Sequence, residues 1–236
     1  MRGRVMLAVA AALAVGWFVP PACGSVIQYG TDGLTNSYEV AAGGARAVKV
    51  YLYETFDPGS ETSILDDEEG LFSAGVAVRR TSAGPTRPAG VLSVAGISPN
   101  PTFDEPEPTV SPLKTVDLTG GAFDRAALLE SRDMLEAAGV AAEAPAANVR
   151  RVFLGTFTFT GGSVVGETTA LRIEDNDPAS DDTVTWALPG VDLDADIQPF
   201  DFSIVTVPEP ATLALLAAGA LAVFSRRRCG EERIAD

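Results

Sequence analysis

Apolar and polar positions alternate along most of this chain. Val48, Val50 and Leu52 interleave with Lys49, Tyr51 and Tyr53. The same period of two runs through Leu71 to Val78, Gly90 to Ile97, Val152 to Thr160, Thr168 to Ile173, Thr183 to Trp186 and Phe202 to Val207. These segments are rich in β-branched and aromatic residues, which fit a pleated, half-buried surface. Gly43-Gly44, Asp57-Pro58-Gly59, Ser98-Pro99-Asn100-Pro101, Gly161-Gly162 and Asp177-Pro178 punctuate them as turns. The pattern predicts about nine strands. Asp124 to Ala138 breaks it: Ala126, Ala127, Leu128, Leu129, Met134, Leu135 and Ala138 precede Gly139, which predicts one helix with a natural stop. Many short strands with one helix predict a mainly β fold, an antiparallel β-sandwich of jelly-roll type.

Two continuous apolar runs sit at the ends. Arg2 and Arg4 precede the run Val5 to Val19, and Ala22 and Gly24 provide the small residues of a cleavage site. This is the layout of a secretory signal peptide over 1–24, with the mature chain starting near Ser25. An uncleaved anchor and lipidation at Cys23 are the competing readings; Pro20-Pro21-Ala22 is a poor context for the second. At the other end, Val207-Pro208-Glu209-Pro210 leads into an apolar helix over 211–224, then Arg226, Arg227 and Arg228. The two prolines separate domain from tail. The helix is short for a ~30 Å hydrocarbon core, and its flanking arginines favour the cytoplasmic side. Residues 229–236 form a cytoplasmic tail, and 25–206 the exported domain.

The order of Pro-Glu-Pro, apolar helix and arginine stop resembles the PEP-CTERM sorting signal of Gram-negative bacteria, a segment also labelled an ice-binding protein C-terminal domain. The resemblance implies export by the Sec machinery, transient anchoring in the inner membrane, recognition by an exosortase and delivery to the cell surface or exopolysaccharide matrix. Val207, Pro208, Glu209, Pro210 and Arg226 to Arg228 are then substrate residues, not catalysts. A plain single-pass anchor is the competing reading. Within the domain, Val48 to Thr55 followed by Gly70 to Val76, and Phe153 to Phe159 followed by Thr168 to Ile173, resemble the early and late strands of cohesin-like sandwiches. That class is akin to some carbohydrate-binding modules.

Charge narrows the chemistry. Residues 25–207 carry 28 acidic and 11 basic side chains, a net charge of −17. Such a surface excludes a sequence-independent grip on nucleic acid. The chain has no histidine, and its two cysteines, Cys23 and Cys229, lie at opposite ends. Histidine-based catalysis and zinc or iron–sulfur centres are therefore excluded. Oxygen ligands for calcium remain. Asp175, Asp177, Asp181 and Asp182 straddle a proline turn, and a structural calcium there is weighed against a solvated acidic surface. Asp192, Asp194 and Asp196 alternate as on one strand face, spaced too widely to share one ion. Tyr51 and Tyr53 share a strand face and form a candidate stacking platform for sugar rings, set against ordinary packing. Trp186 is expected in the core. The sequence reads as a non-enzymatic surface or matrix protein of structural or adhesive role, with exopolysaccharide or surface proteins as partners. A carbohydrate- or calcium-binding module and a small extracellular hydrolase are the alternatives.

Overall fold

The computed structural model describes residues 24–59, 61–81, 92–103, 113–119, 122–133 and 135–209. The expected signal segment up to Cys23, the helix expected over 211–224, Pro210 and Arg226 to Arg228 lie outside them. In chain order the strands are β1 (Val26–Thr31), β2 (Ser37–Ala41), β3 (Ala45–Thr55), β4 (Leu71–Arg80), β5 (Ser93–Pro99) and β6 (Leu113–Thr119). They continue as β7 (Ala122–Ser131), β8 (Glu143–Ala146), β9 (Val149–Thr160), β10 (Thr168–Asp175), β11 (Val184–Thr185) and β12 (Phe200–Val207). One helical turn, α1 (Ile64–Asp67), and a 3-10 turn at Asp32–Leu34 complete the described elements.

Two sheets face each other. The first runs β1-β3-β9-β5, with β8 beside β9; the second runs β2-β12-β10-β4-β7-β6, with β11 beside β4. Pairing is antiparallel except between β12 and β2, which run parallel because the chain changes sheet between β1 and β2. The alternation read from the sequence becomes the core. Val48, Val50 and Leu52 of β3, and Val152 and Leu154 of β9, face Val76 and Val78 of β4, Leu171 and Ile173 of β10, and Leu128 of β7. A bulge shifts the β3–β9 register between Val50 and Tyr51, after which Phe157 and Phe159 take over the inner face of β9. Phe159 bridges to Phe123 and Phe202 at centroid distances of 5.7 and 6.3 Å, tying three strands together.

The helix expected over Asp124 to Ala138 is not formed. Its first half is β7, a central strand with Val76 opposite Leu128 and Ala77 opposite Ala127. Alanine and leucine favour helix only weakly, by tenths of a kcal/mol per residue. A position between β4 and β6 offers two hydrogen-bonded ladders and full burial of Ala126 and Leu128, which outweighs that preference. Gly139, expected as the helix stop, instead lies against Leu71 and Trp186; a Cβ there would meet the Leu71 carbonyl at 2.6 Å.

The only α-helical turn among the described residues is nucleated from the core. Glu54 is fully buried on β3. Its carboxylate accepts bonds from Ser63 Oγ at 2.6 Å and from the Ile64 and Leu65 amides at 2.7 and 3.1 Å. Ser63 Oγ in turn caps Asp66 N at 3.1 Å. A negative charge at the exposed amides of a helix start satisfies donors that the turn itself cannot.

Candidate metal centre

Three aspartates from separate segments converge at the edge of β4. Asp175 ends β10, opposite Val76. The chain then turns back over β4 and lays the Asp182 carboxylate directly on Gly75. A Cβ at Gly75 would sit 2.1 Å from that carboxyl carbon, so only glycine fits. Asp194 comes from the turn that follows a bridge between Val184 and Asp192. Its two oxygens accept the Asp182 and Thr183 amides at 2.7 and 3.0 Å, locking the two loops together. Asn176 Nδ2 donates to Asp182 Oδ2 at 3.2 Å, and Arg125 of β7 holds Asn176 Oδ1 at 2.7 Å. Beneath them the Tyr29 hydroxyl donates to the Gly75 carbonyl at 2.9 Å.

The carboxylate oxygens of Asp175, Asp182 and Asp194 lie within 4.8 Å of one another. Burial, then repulsion from Asp182 and Asp194, pushes the Asp175 carboxyl up to about 7. Burial likewise raises Asp182 and Asp194, and holds the Tyr29 phenol well above its ordinary value. Asp175 Oδ1 accepts the Asp177 amide at 3.3 Å, while Oδ2 is buried with no donor facing it. An orphaned buried carboxylate oxygen is costly unless a proton or a cation reaches it. An open cleft lined by Glu174, Asp175, Asn176, Pro178 and Asp194 gives solvent and ions access. Hard oxygen donors at this spacing suit Ca²⁺, with water completing its six to eight ligands. The residues therefore fit a calcium ion.

The structure thus brings together Asp175 and Asp182 but not Asp177 and Asp181. Asp177 is exposed and caps its own turn through Ala179 N at 3.2 Å, and Asp181 points to solvent. The third member, Asp194, belongs to the cluster read as an alternating strand. Asp194 to Asp196 form a turn instead, and Asp192 Oδ1 accepts Asp194 N at 3.0 Å. An Asp-x-Asp step that caps its own backbone was the available signal for a turn.

Tyr51 and Tyr53 share an outward face, as expected, yet they are 4% and 5% exposed and offer no open platform. Arg151 stacks on Tyr51 at 4.5 Å and is pinned by Asp32 at 2.8 Å and Glu143 at 2.9 Å. Burial disfavours the Arg151 charge, but the bonds it donates to Tyr53, Glu143 and Asp32 outweigh it and raise the guanidinium pKa. The Tyr53 hydroxyl is spent on the Thr31 carbonyl at 2.8 Å. The rings are a second, small core on the outer face. Trp186, expected inside, is half-buried against Phe72 at 5.7 Å.

At the C-terminal end, Val207 is the last residue of β12, opposite Ala41, and its carbonyl accepts Ala42 N at 2.9 Å. Glu209, two residues on, is exposed. Residues 206–228 match the PEP-CTERM protein-sorting motif. No curated protein sequence matches the chain. Among solved structures, CaCohA2 from Clostridium acetobutylicum is similar at 12% identity over 77% of this chain and 91% of that one, with a TM-score of 0.47. The third cohesin of ScaC from Acetivibrio cellulolyticus, in complex with the ScaB dockerin, is similar at 12% identity over 77% and 99%, with a TM-score of 0.40. The cohesin module of a Clostridium perfringens family 33 glycoside hydrolase is similar at 10% identity over 79% and 100%, also at 0.40. The chain is therefore a two-sheet β-sandwich whose residues 206–228 match the PEP-CTERM sorting motif.

Proposed function

We propose that this chain is a non-catalytic module of the cell surface or extracellular matrix, delivered by its sorting tail and stiffened by a calcium ion held between Asp175, Asp182 and Asp194. The observation that carries the delivery is continuity. The matched motif begins inside β12, so the sandwich and the tail belong to one continuous chain and travel together. An exosortase would act on the Pro208-Glu209-Pro210 segment, and the helix with its arginines would hold the substrate in the membrane until then. A structural or adhesive role accords with an acidic sandwich whose Asp175–Asp182–Asp194 cluster suits a bound ion.

Mass spectrometry of the protein recovered from surface and medium fractions tests the delivery. Val207 is held in a ladder and unavailable to a protease, so the mature C-terminus is expected at Pro208 or just beyond. A chain intact through Asp236 and confined to membranes would make the tail a plain anchor. Calcium is tested separately by titrating chelator-treated protein in a calorimeter. One saturable site is expected, lost in Asp194→Asn; equal binding by that variant would place the ion elsewhere.

A further inference from the structure

The tail leaves the sandwich at an end that is almost free of charge. Val207 closes β12, and its carbonyl accepts Ala42 N at 2.9 Å. On the other side of β12, Gly166 N donates to Thr206 O at 2.7 Å and Thr206 N to Glu167 O at 2.9 Å. Two turns therefore flank the exit: residues 41–45 between β2 and β3, and residues 161–167 between β9 and β10. They are bonded to each other, Gly43 N to Gly161 O at 3.0 Å and Gly161 N to Gly44 O at 2.9 Å. The approach is so close that a Cβ on Gly161 would lie 2.3 Å from Ala41 O. Within these two turns and residues 207–209, Glu167 and Glu209 are the only charged side chains. At the far end, where β4 begins, residues 56–70 carry six acidic groups and residues 175–199 seven, with no basic residue in either.

Val164 and Val165 form the tip of the second turn and are 47% and 51% exposed. Exposure alone does not single them out, since Leu135 and Leu188 elsewhere are 90% and 93% exposed. Their place beside the tail does. Ala211, the first residue of the apolar run, follows Val207 by four residues, a reach of at most about 14 Å when fully extended. A bilayer that holds the run adds a headgroup layer only about 5–7 Å deep outside its hydrocarbon core. The tether therefore keeps the exit end of the sandwich at the lipid surface. We propose that the anchored chain rests this end on the bilayer, with Val164 and Val165 seated among the lipid headgroups. An uncharged turn tipped by two valines loses little solvation there, and burial of its apolar surface favours the contact. The carboxylates gathered at the far end stay clear of the negative charge of acidic phospholipids. The contact would hold Pro208 and Glu209 at the membrane interface, within reach of an exosortase. The proposal rests on the tail being a membrane anchor before it is processed.

Ser163 adjoins the two valines and is exposed, as is Asp181 at the far end. The test uses the exported chain carrying Cys23→Ser and Cys229→Ser, purified from membranes and reconstituted in vesicles of phosphatidylethanolamine and phosphatidylglycerol. A nitrobenzoxadiazole label is placed at Ser163→Cys or, separately, at Asp181→Cys. Phospholipid bearing a nitroxide near its headgroup should quench the label at 163 by about half and leave that at 181 nearly unchanged. Val164→Asp combined with Val165→Asp, at positions too exposed to unfold the domain, should cut the quenching at 163 several-fold. Alkaline carbonate extraction of the same vesicles reads the anchor independently. A chain that resists extraction yet shows no quenching at 163 keeps its anchor and overturns the docking alone. A chain released by carbonate overturns the anchor and the docking together. Equal quenching at the two sites, or a bright label at 163 that nitroxide lipid does not reach, as contact between copies would give, would each overturn the proposal.

Discussion

Glu54→Ala is expected to destabilise the domain by about 3–5 kcal/mol, the largest effect of any single polar substitution considered. The variant removes a fully buried carboxylate and orphans the Ser63 hydroxyl and the Ile64 and Leu65 amides, which bond it at 2.6, 2.7 and 3.1 Å. None of the three has another acceptor of comparable geometry, because the first amides of a helix point away from its own carbonyls. Leu65, 1% exposed, would lose its anchor to the core at the same time. Urea denaturation should show the loss as a lowered midpoint, and a thermal melt as a drop of about 10 °C. Glu54→Gln keeps one acceptor oxygen and should cost roughly half as much. A midpoint unchanged in the alanine variant would mean that α1 forms without its cap.

The second large effect concerns pH and the aspartate centre. Asp175 titrates at about 7 in the folded domain, against about 4 for an unfolded aspartate. Over that interval the folded state binds more protons than the unfolded one. In metal-free protein this carboxyl therefore favours folding below pH 4, and its contribution is lost as pH rises through 7. Three units would correspond to about 4 kcal/mol, but the group is partly solvated and about 1–2 kcal/mol is expected after screening. Asp175→Asn removes the titration. The variant should melt with wild type at pH 4 and about 5 °C above it at pH 8 in chelator. Added Ca²⁺ should raise the wild type at pH 8 and leave the variant nearly unchanged. Parallel melting of the two proteins across the whole pH range would remove Asp175 from the centre.

Period two was a sound guide wherever one strand face meets the core, as in β3, β9 and β10. It failed over Asp124 to Ala138, because Ala126 and Leu128 fit one strand face while the same run with Leu129 also fits a helical stripe. The choice was made by β4 and β6 on either side, which no local window contains. Exposure was misjudged for a similar reason. Tyr51 and Tyr53 do alternate outward, but Arg151, brought alongside by the β3–β9 register, roofs them. In the aspartate centre, Asp175 and Asp182 were visible as neighbours around a proline turn. Asp194 was hidden because its approach depends on the Val184–Asp192 bridge and on the amides it accepts.

The sequence by itself determined the alternation that builds two sheets, the acidic surface, the absence of histidine chemistry and the tail motif, since each is a local property of residue type and order. Tertiary structure alone decided which aspartates share one site, which aromatic rings remain open and which turns flank the exit of the tail. Those outcomes depend on contacts between segments far apart in the chain, where a bridge, a bulge or a bare glycine places a side chain to within an ångström.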